Sequence, residues 1–352
     1  MPFYTPLRYP GGKRRLAPLV MRLLEENRLS DVNYVEPYTG GAAIALALLF
    51  EEYASTIHIN DLSRPVFAFW RTVLDQNKWL CKRIEKVSLT MTEWNRQRAV
   101  YDKRDSADLD ELGFATLFLN RTNRSGIIAG GVIGGKKQAG QWGLDARFGK
   151  LGLIERIKKV ARYRERIRLY QSDALTFTKT VVPKISGKVF LFYDPPYIES
   201  GEKLYLNDYG IEDHRALADS IIALKKPWVV TYDYAAVGHN LYPAHRRMVY
   251  GLPYSAQDRY DGREVMFLSN GIRLPEEWNY SGTFALTPPR SAYPLYGKME
   301  GMKARPEMVE GSEAATRFMS ALKTVLSVPK AAVPNPFKKA EKKPRRPSAP
   351  KR

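Results

Sequence analysis

Seven short runs rich in apolar and β-branched residues, most of them separated by helical patterns, constrain this chain more than any other feature. They are VNYVE (32–36), TIHIN (56–60), IRLYQ (167–171), KVFLFY (188–193), WVVTY (228–232), RRMVY (246–250) and EVMFLS (264–269). Runs of this composition and length read as strands. Helical patterns at 42–52, 65–80 and 212–224 follow the first, second and fourth runs. Strands alternating with helices predict a mostly parallel sheet with helices on both faces. The last two runs are joined only by the polar loop YSAQDRYDGR, which predicts an antiparallel hairpin at one edge.

One segment breaks the rhythm. Residues 76–150 separate two strands of the sheet. The first part reads helical. The later part, NRTNRSGIIAGGVIGGKKQAGQWG, is rich in Gly, Asn, Arg and Lys and reads as loop. Long loops in compact domains are usually functional or disordered. The expected organisation is a discontinuous domain over 1–75 and 151–278, an inserted binding region over 76–150, and an irregular extension over 279–329. One amphipathic helix is expected at 312–326, and a disordered basic tail over 330–352.

The chain has 352 residues, with 56 Lys and Arg against 37 Asp and Glu, a net charge of +19. Residues 328–352 contribute +8 of this and the remaining +11 belongs to the rest of the chain. So basic a body favours a polyanionic partner, nucleic acid first and an anionic membrane surface second. Cys81 is the only cysteine, which excludes an intrachain disulfide and a cysteine-rich zinc site. The four histidines form no HxxxH pair, and no metal is expected. The longest apolar stretch, AAIALALLF, has nine residues, too few for a membrane span. The N-terminus has no apolar signal core, so a cytoplasmic soluble protein is expected.

Three short motifs carry chemistry. In YVEPYTGGAA (34–43) a strand ends in Glu36, a glycine turn follows and a helix begins. In doubly wound folds a nucleotide-like ligand meets backbone N–H groups at such a turn. The next strand ends at Asp61, at the spacing where an acid commonly holds ribose hydroxyls. Each acid taken singly could also be a helix cap or turn residue. RYPGGKRRL (8–16) places two glycines, which permit close backbone approach, directly before Lys13. In FYDPPYIE (192–199) an apolar strand is cut off by Asp194, Pro195, Pro196 and Tyr197. The Asp194 carboxylate and the Pro195 carbonyl are two acceptors, which suit the two donors of an exocyclic amino group, and Tyr197 can stack on a planar base. A proline-stiffened turn with a capping Asp is the bland alternative.

Taken in order, these motifs resemble the Dam-type DNA adenine-N6 methyltransferases, the α-group of amino-methyltransferases. YPGGK (9–13) is similar to their N-terminal cofactor motif, VEPYTGGAA (35–43) to the methionine-binding motif and INDLSRPVFAFW (59–70) to the ribose motif. SDALTF (172–177) resembles the segment flanking the cofactor adenine, YDPPY (193–197) the catalytic motif and REVMFLSN (263–270) the final strand. FLNRTNRSGIIAGGVIGGKKQ, with DARF (145–148), resembles the target-recognition region of phage- and prophage-type members. The likeness covers roughly residues 4–271. It implies a Rossmann-like class I methyltransferase fold with a seven-stranded sheet and S-adenosyl-L-methionine as cofactor. Cofactor contacts are expected from Tyr9, Gly11, Gly12, Lys13, Glu36, Pro37, Tyr38, Gly40, Asp61, Asp173 and Asp194. Tyr9 stands where some members carry Trp, and NRTNRSGI differs from the best-known GATC methylases.

The reaction so implied is direct methyl transfer to the N6 amino group of an adenine flipped out of double-stranded DNA, with Asp194, Pro195, Pro196 and Tyr197 catalytic. Arg121, Asn123, Arg124, Lys136 and Lys137 are the candidates for DNA contact. For Arg121 and its neighbour Asn120 the competing reading is structural, as hydrogen-bonding supports of the loop. A cognate restriction endonuclease is a candidate partner, and a monomer is expected. Cytosine-N4 or RNA-adenine methylation, and a catalytically dead DNA-binding relative, are the alternatives; Asp194 where cytosine-N4 enzymes typically carry Ser argues against the first.

Overall fold

The computed structural model describes residues 3–8, 13–197, 209–253, 261–275 and 284–285. Tyr9, Gly11, Gly12, the helix expected at 312–326 and the basic tail lie outside the described residues.

All seven expected strands form, as β1 (Val32–Glu36), β2 (Ala54–Asn60), β3 (Ile167–Tyr170), β4 (Val189–Tyr193), β5 (Trp228–Asp233), β6 (Arg246–Pro253) and β7 (Asp261–Leu268). An unforeseen two-residue strand, β8 (Phe284–Ala285), pairs with β6 at the edge. The order across the sheet is β3-β2-β1-β4-β5-β7-β6-β8. Strands β3, β2, β1, β4 and β5 are parallel, and β7 runs antiparallel to both β5 and β6. This is the doubly wound, Rossmann-like arrangement with an antiparallel edge hairpin. The hairpin is longer than its apolar runs suggested: β6 extends through Pro253, and β7 begins within the expected polar loop, at Asp261.

The apolar runs are buried on both faces, which is why they show no polar alternation. Successive side chains of a strand point to opposite faces. In β4, Phe190 and Phe192 join one apolar cluster while Leu191 and Tyr193 join the other. In β7, Met266 and Leu268 go to the first and Val265 and Phe267 to the second. The first cluster is closed by helices α1 (Ala17–Glu26), α2 (Ala43–Phe50), α3 (Arg64–Asp75), α4 (Asn77–Lys86), α5 (Met91–Asp102), α6 (Leu109–Thr122) and α7 (Lys150–Arg162). The second is closed by α8 (Ala174–Thr180) and α9 (Ile211–Ile222).

The single helix expected over 65–80 is two, α3 and α4. Gln76 between them leaves the helical region at φ −127° and ψ 30°. The bend lets Trp70 and Val73 on α3 and Leu80 and Ile84 on α4 each enter the core. No Gly or Pro marks it, so nothing local announced the break. Helix α6 lies so close to α3 that a Cβ on Gly113 would stand 2.4 Å from Thr72 Oγ1. Cys81 is an ordinary buried residue of α4.

Candidate active site

The chain runs from β1 outward through β2 and β3, then crosses back to β4 on the other side of β1. The crevice beyond the carboxyl ends of β1 and β4 is therefore the topological switch point, where doubly wound sheets bind ligands. Glu36 is the last residue of β1 and Asp194 follows the last residue of β4. The two chemical motifs thus meet there, although 158 positions part them in the chain.

Asp194 is held from two sides. Thr231 on β5 donates from Oγ1 to Asp194 Oδ1 at 2.8 Å, and Lys13 Nζ lies 3.6 Å from the same oxygen. Burial pushes the Asp194 carboxyl up to about 6; Lys13 opposes this and the Glu264 charge adds to it. Pro195 is buried and fixes the backbone just after the carboxylate.

Lys13 and Glu264 form a buried pair at 2.7 Å, with 5% and 1% of each residue exposed. Tyr197 donates its hydroxyl to Glu264 Oε1 at 2.6 Å, Tyr250 donates to Oε2 at 2.7 Å, and Lys13 Nζ also bonds the Tyr197 hydroxyl. Lys13 further lies 4.8 Å from the centre of the Tyr197 ring. One carboxylate therefore gathers two phenols and an ammonium. Tyr197, expected to offer its ring to a base, has its hydroxyl tethered inward on β7.

Around the β1 turn, Glu36 Oε1 accepts from the Tyr34 hydroxyl at 2.9 Å and from the Ala45 backbone N–H at 3.1 Å. Burial raises the Glu36 carboxyl to about 8, against those two hydrogen bonds. The turn itself is left-handed at Gly40 (φ 47°) and at Ala42 (φ 50°). Asp61 holds it in place, accepting from Gly40 N at 2.8 Å with one oxygen and from Ser63 N at 2.9 Å with the other. Burial moves Asp61 up to about 6. Pro37 and Tyr38 line the same turn: the Pro37 carbonyl accepts from Asn60, and the Tyr38 hydroxyl meets that of Tyr209 at 3.2 Å. Asp173 is used as a cap: Oδ1 accepts from Thr176 N at 2.9 Å, opening α8, and Oδ2 accepts from Tyr209 at 3.1 Å.

The DNA-contact candidates divide. Arg124, Lys136 and Lys137 are exposed. Asn123 is fully buried: its Nδ2 donates to the carbonyls of Ile127 and Ile128, and its Oδ1 accepts from Trp94 Nε1 at 2.7 Å. An amide so engaged shapes the loop and cannot reach a base edge, which corrects the expectation for Asn123. Arg121 is 7% exposed and donates from Nε to the Pro6 carbonyl at 2.7 Å, so it does not project into a groove either. Asn120 exchanges two hydrogen bonds with the Arg8 backbone at 2.8 and 2.9 Å and donates to the Gly126 carbonyl, contacts that support the loop.

Three residues escaped the sequence reading. Glu264 and Thr231 sit inside strand runs, and only the acid at the head of an apolar run was a signal. Antiparallel pairing brings the start of β7 to the sheet edge where β5 ends, opposite Asp233 and Tyr250. Asn60 is fully buried and ties the Pro37 carbonyl to the Ser172 backbone, locking the loops after β1, β2 and β3 together. Its signal was a polar residue closing an apolar strand.

At the carboxyl edge of this doubly wound sheet, Glu36 is buried and Asp61 and Asp194 are partly buried, beside the Asp-Pro-Pro-Tyr break, in the place where such sheets take a nucleotide-bearing ligand. The profile of the D12 class N6 adenine-specific DNA methyltransferases matches residues 9–244, and the chain belongs to that family. A relative, the Type II methyltransferase M.MjaIII of Methanocaldococcus jannaschii, is 22% identical over 210 residues, 54% of this chain and 68% of that protein. Among solved structures, the chain is similar to TrmN from Thermus thermophilus (TM-score 0.31, 13% identity, 72% of this chain and 48% of that one). It is similar also to the rRNA methyltransferase aviRa from Streptomyces viridochromogenes (TM-score 0.32, 12% identity, 74% and 86%). The fold assignment rests on the strand order and pairing, independently of these two likenesses.

Proposed function

We propose that this D12-class enzyme places a flipped adenine with its amino group between the Asp194 carboxylate and the Pro195 carbonyl. The observation that carries this reading is the position of Asp194: at the carboxyl end of a central strand, at the switch point, with Thr231 and Lys13 fixing one oxygen. Oδ2 is then the oxygen left to accept an amino hydrogen. Accepting both N–H bonds favours a pyramidal nitrogen with an available lone pair. The remaining contribution is orientation, holding the nitrogen in line for displacement. Tyr197 stacks on the base once it leaves its tether at Glu264.

The residues present suit S-adenosyl-L-methionine. Glu36, Asp61 and Asp194 are all carboxylates whose ionisation burial disfavours. A cationic ligand restores it, and a ribose diol supplies donors to an acid. When bound, this cofactor supplies an electrophilic methyl group on a sulfonium. Lys13, Glu36, Pro37, Tyr38, Gly40 and Asp61 are assigned to hold it, with Tyr9, Gly11 and Gly12 completing the set. Residues 76–150 serve target recognition, with Arg124, Lys136 and Lys137 as the exposed contacts. The setting is cytoplasmic, the enzyme acts as a monomer, and a cognate restriction endonuclease is the proposed partner.

The test is expression in a host lacking adenine methylation, with modified bases read along its DNA by single-molecule sequencing. N6-methyladenine in one short motif, absent with Asp194→Ala, is the expected result. An equal modification pattern with Asp194→Ala would remove Asp194 from the mechanism.

A further inference from the structure

Arg121 presents an unresolved charge problem. A buried cation is costly unless it is paired. Among the described residues no carboxylate lies within ion-pair distance of Arg121, and its sole hydrogen bond is from Nε to the Pro6 carbonyl. Among the described residues its two terminal nitrogens take no protein partner. The groups around it aggravate the problem. Arg156 on α7 reaches the next carbonyl back, Thr5, with NH1 at 3.5 Å. Arg8 is fixed two residues on by Asn120, the neighbour of Arg121. Arg147, exposed, is near enough for its charge to act on both Arg8 and Arg121. Burial first, then Arg156, Arg8 and Arg147, hold the Arg121 pKa down to about 9. None of the four has an acidic partner among the described residues.

The arrangement is also rigidly built. Gly126 (φ +78°) presses on the Arg8 carbonyl so closely that a Cβ there would stand 2.0 Å from the oxygen. Residues 5–8 are thus clamped by Asn120, Arg121, Arg156 and Gly126, from α6, α7 and the loop after α6. A guanidinium whose two terminal nitrogens are unpaired among the described residues, with partly exposed Arg8 and Arg156 and exposed Arg147 about it, matches a tetrahedral oxyanion, which accepts in the same bidentate way.

We infer that Arg8, Arg121, Arg147 and Arg156 form the seat of one backbone phosphate of the DNA. This rests on the reading of the chain as a DNA methyltransferase and adds to it a contact that fixes register without reading sequence. The same segment continues through 9–12 to Lys13, so a phosphate seated here anchors the strand to the limb that carries the active-site lysine.

The test compares the wild-type chain with Arg147→Gln, Arg156→Gln, their double variant and Arg121→Lys, which keeps the charge but not the fork. Lys179→Gln, an exposed cation on α8, controls for general charge loss. Duplex affinity is measured against salt concentration, together with cofactor affinity and the methylated motif. The expected result is roughly tenfold weaker binding for the double variant and a slope of log affinity against log salt that is shallower by about 0.9. The methylated motif and cofactor affinity stay unchanged. Arg121→Lys should also bind more weakly. A slope unchanged in the double variant, or changed equally by Lys179→Gln, overturns the phosphate seat. So does a changed methylated motif, which would make the cluster a reader of bases. A wild-type chain that neither binds nor methylates any DNA sinks the functional reading itself, and this inference with it.

Discussion

Lys13 Nζ and Glu264 Oε1 stand 2.7 Å apart, although 251 residues separate them in the chain. The pair joins Lys13, which closes the YPGGK motif, to the first residues of the antiparallel strand β7, and Tyr197 hangs from it. Residues 13, 194, 197 and 264 are therefore one mechanical unit. Neither member can be removed without leaving a buried charge.

Glu264→Ala should consequently destabilise the protein by about 3–5 kcal/mol, the cost of breaking a buried ion pair from one side. Lys13 then loses its partner and Tyr197 its acceptor. Urea denaturation gives the stability, and calorimetric titration with S-adenosyl-L-methionine should show weaker binding. A loss under 1 kcal/mol would mean that the pair is not buried in solution.

Asp194→Ala should behave oppositely. Burial already disfavours the Asp194 anion, and Lys13 keeps Glu264 when Asp194 is gone. Methyl transfer should fall by at least roughly 10³-fold, the scale of losing a main catalytic group. The melting temperature should stay near that of the wild type. A variant that unfolds would give Asp194 a structural role in place of a catalytic one.

Glu36 gives a pH dependence with a defined sign. Its carboxyl is raised from 4.5 to about 8. The folded chain without cofactor then holds a proton that the unfolded chain has lost, so this contribution to stability is full below pH 4.5 and is lost as pH rises through about 8. A bound cation expels that proton, so cofactor affinity should rise with pH up to about 8 and level off above it. Glu36→Gln should flatten both profiles in this range, as read by melting curves and titrations between pH 5 and pH 9. Profiles identical to the wild type would place the titration elsewhere.

Gly126→Ala meets a backbone oxygen at 2.0 Å in a left-handed conformation, and no flexible side chain can move aside. Strain of that kind costs about 1–3 kcal/mol before the displacement of Arg8 is counted. Gly131→Ala, a few residues on, meets nothing within 4 Å and should be neutral within about 0.5 kcal/mol. Thermal melting of the two variants side by side measures the contrast. Equal stability would mean that the loop does not press on residue 8.

The legible part of this protein was what repeats locally. Strand runs, the glycine turn after Glu36 and the Asp-Pro-Pro-Tyr break show themselves in neighbouring residues, so the sheet, its edge hairpin and the acids at its carboxyl edge could be read. Asp61 was legible as an acid at a strand end and Asp173 only through the family resemblance of SDALTF; which backbone N–H each would accept was not legible, because that depends on how loops from different strands lie together.

The sequence alone determined the alternation of strands and helices, and with it the crevice where Glu36 and Asp194 meet. Only the tertiary structure decided that Asn123 turns inward, that Glu264 receives Lys13 and Tyr197, and that Arg8, Arg121, Arg147 and Arg156 converge. The physical reason is range. Apolar periodicity and turn chemistry act over a few residues, whereas a buried charge takes its partners from whichever distant segments the packed core brings within about 3 Å.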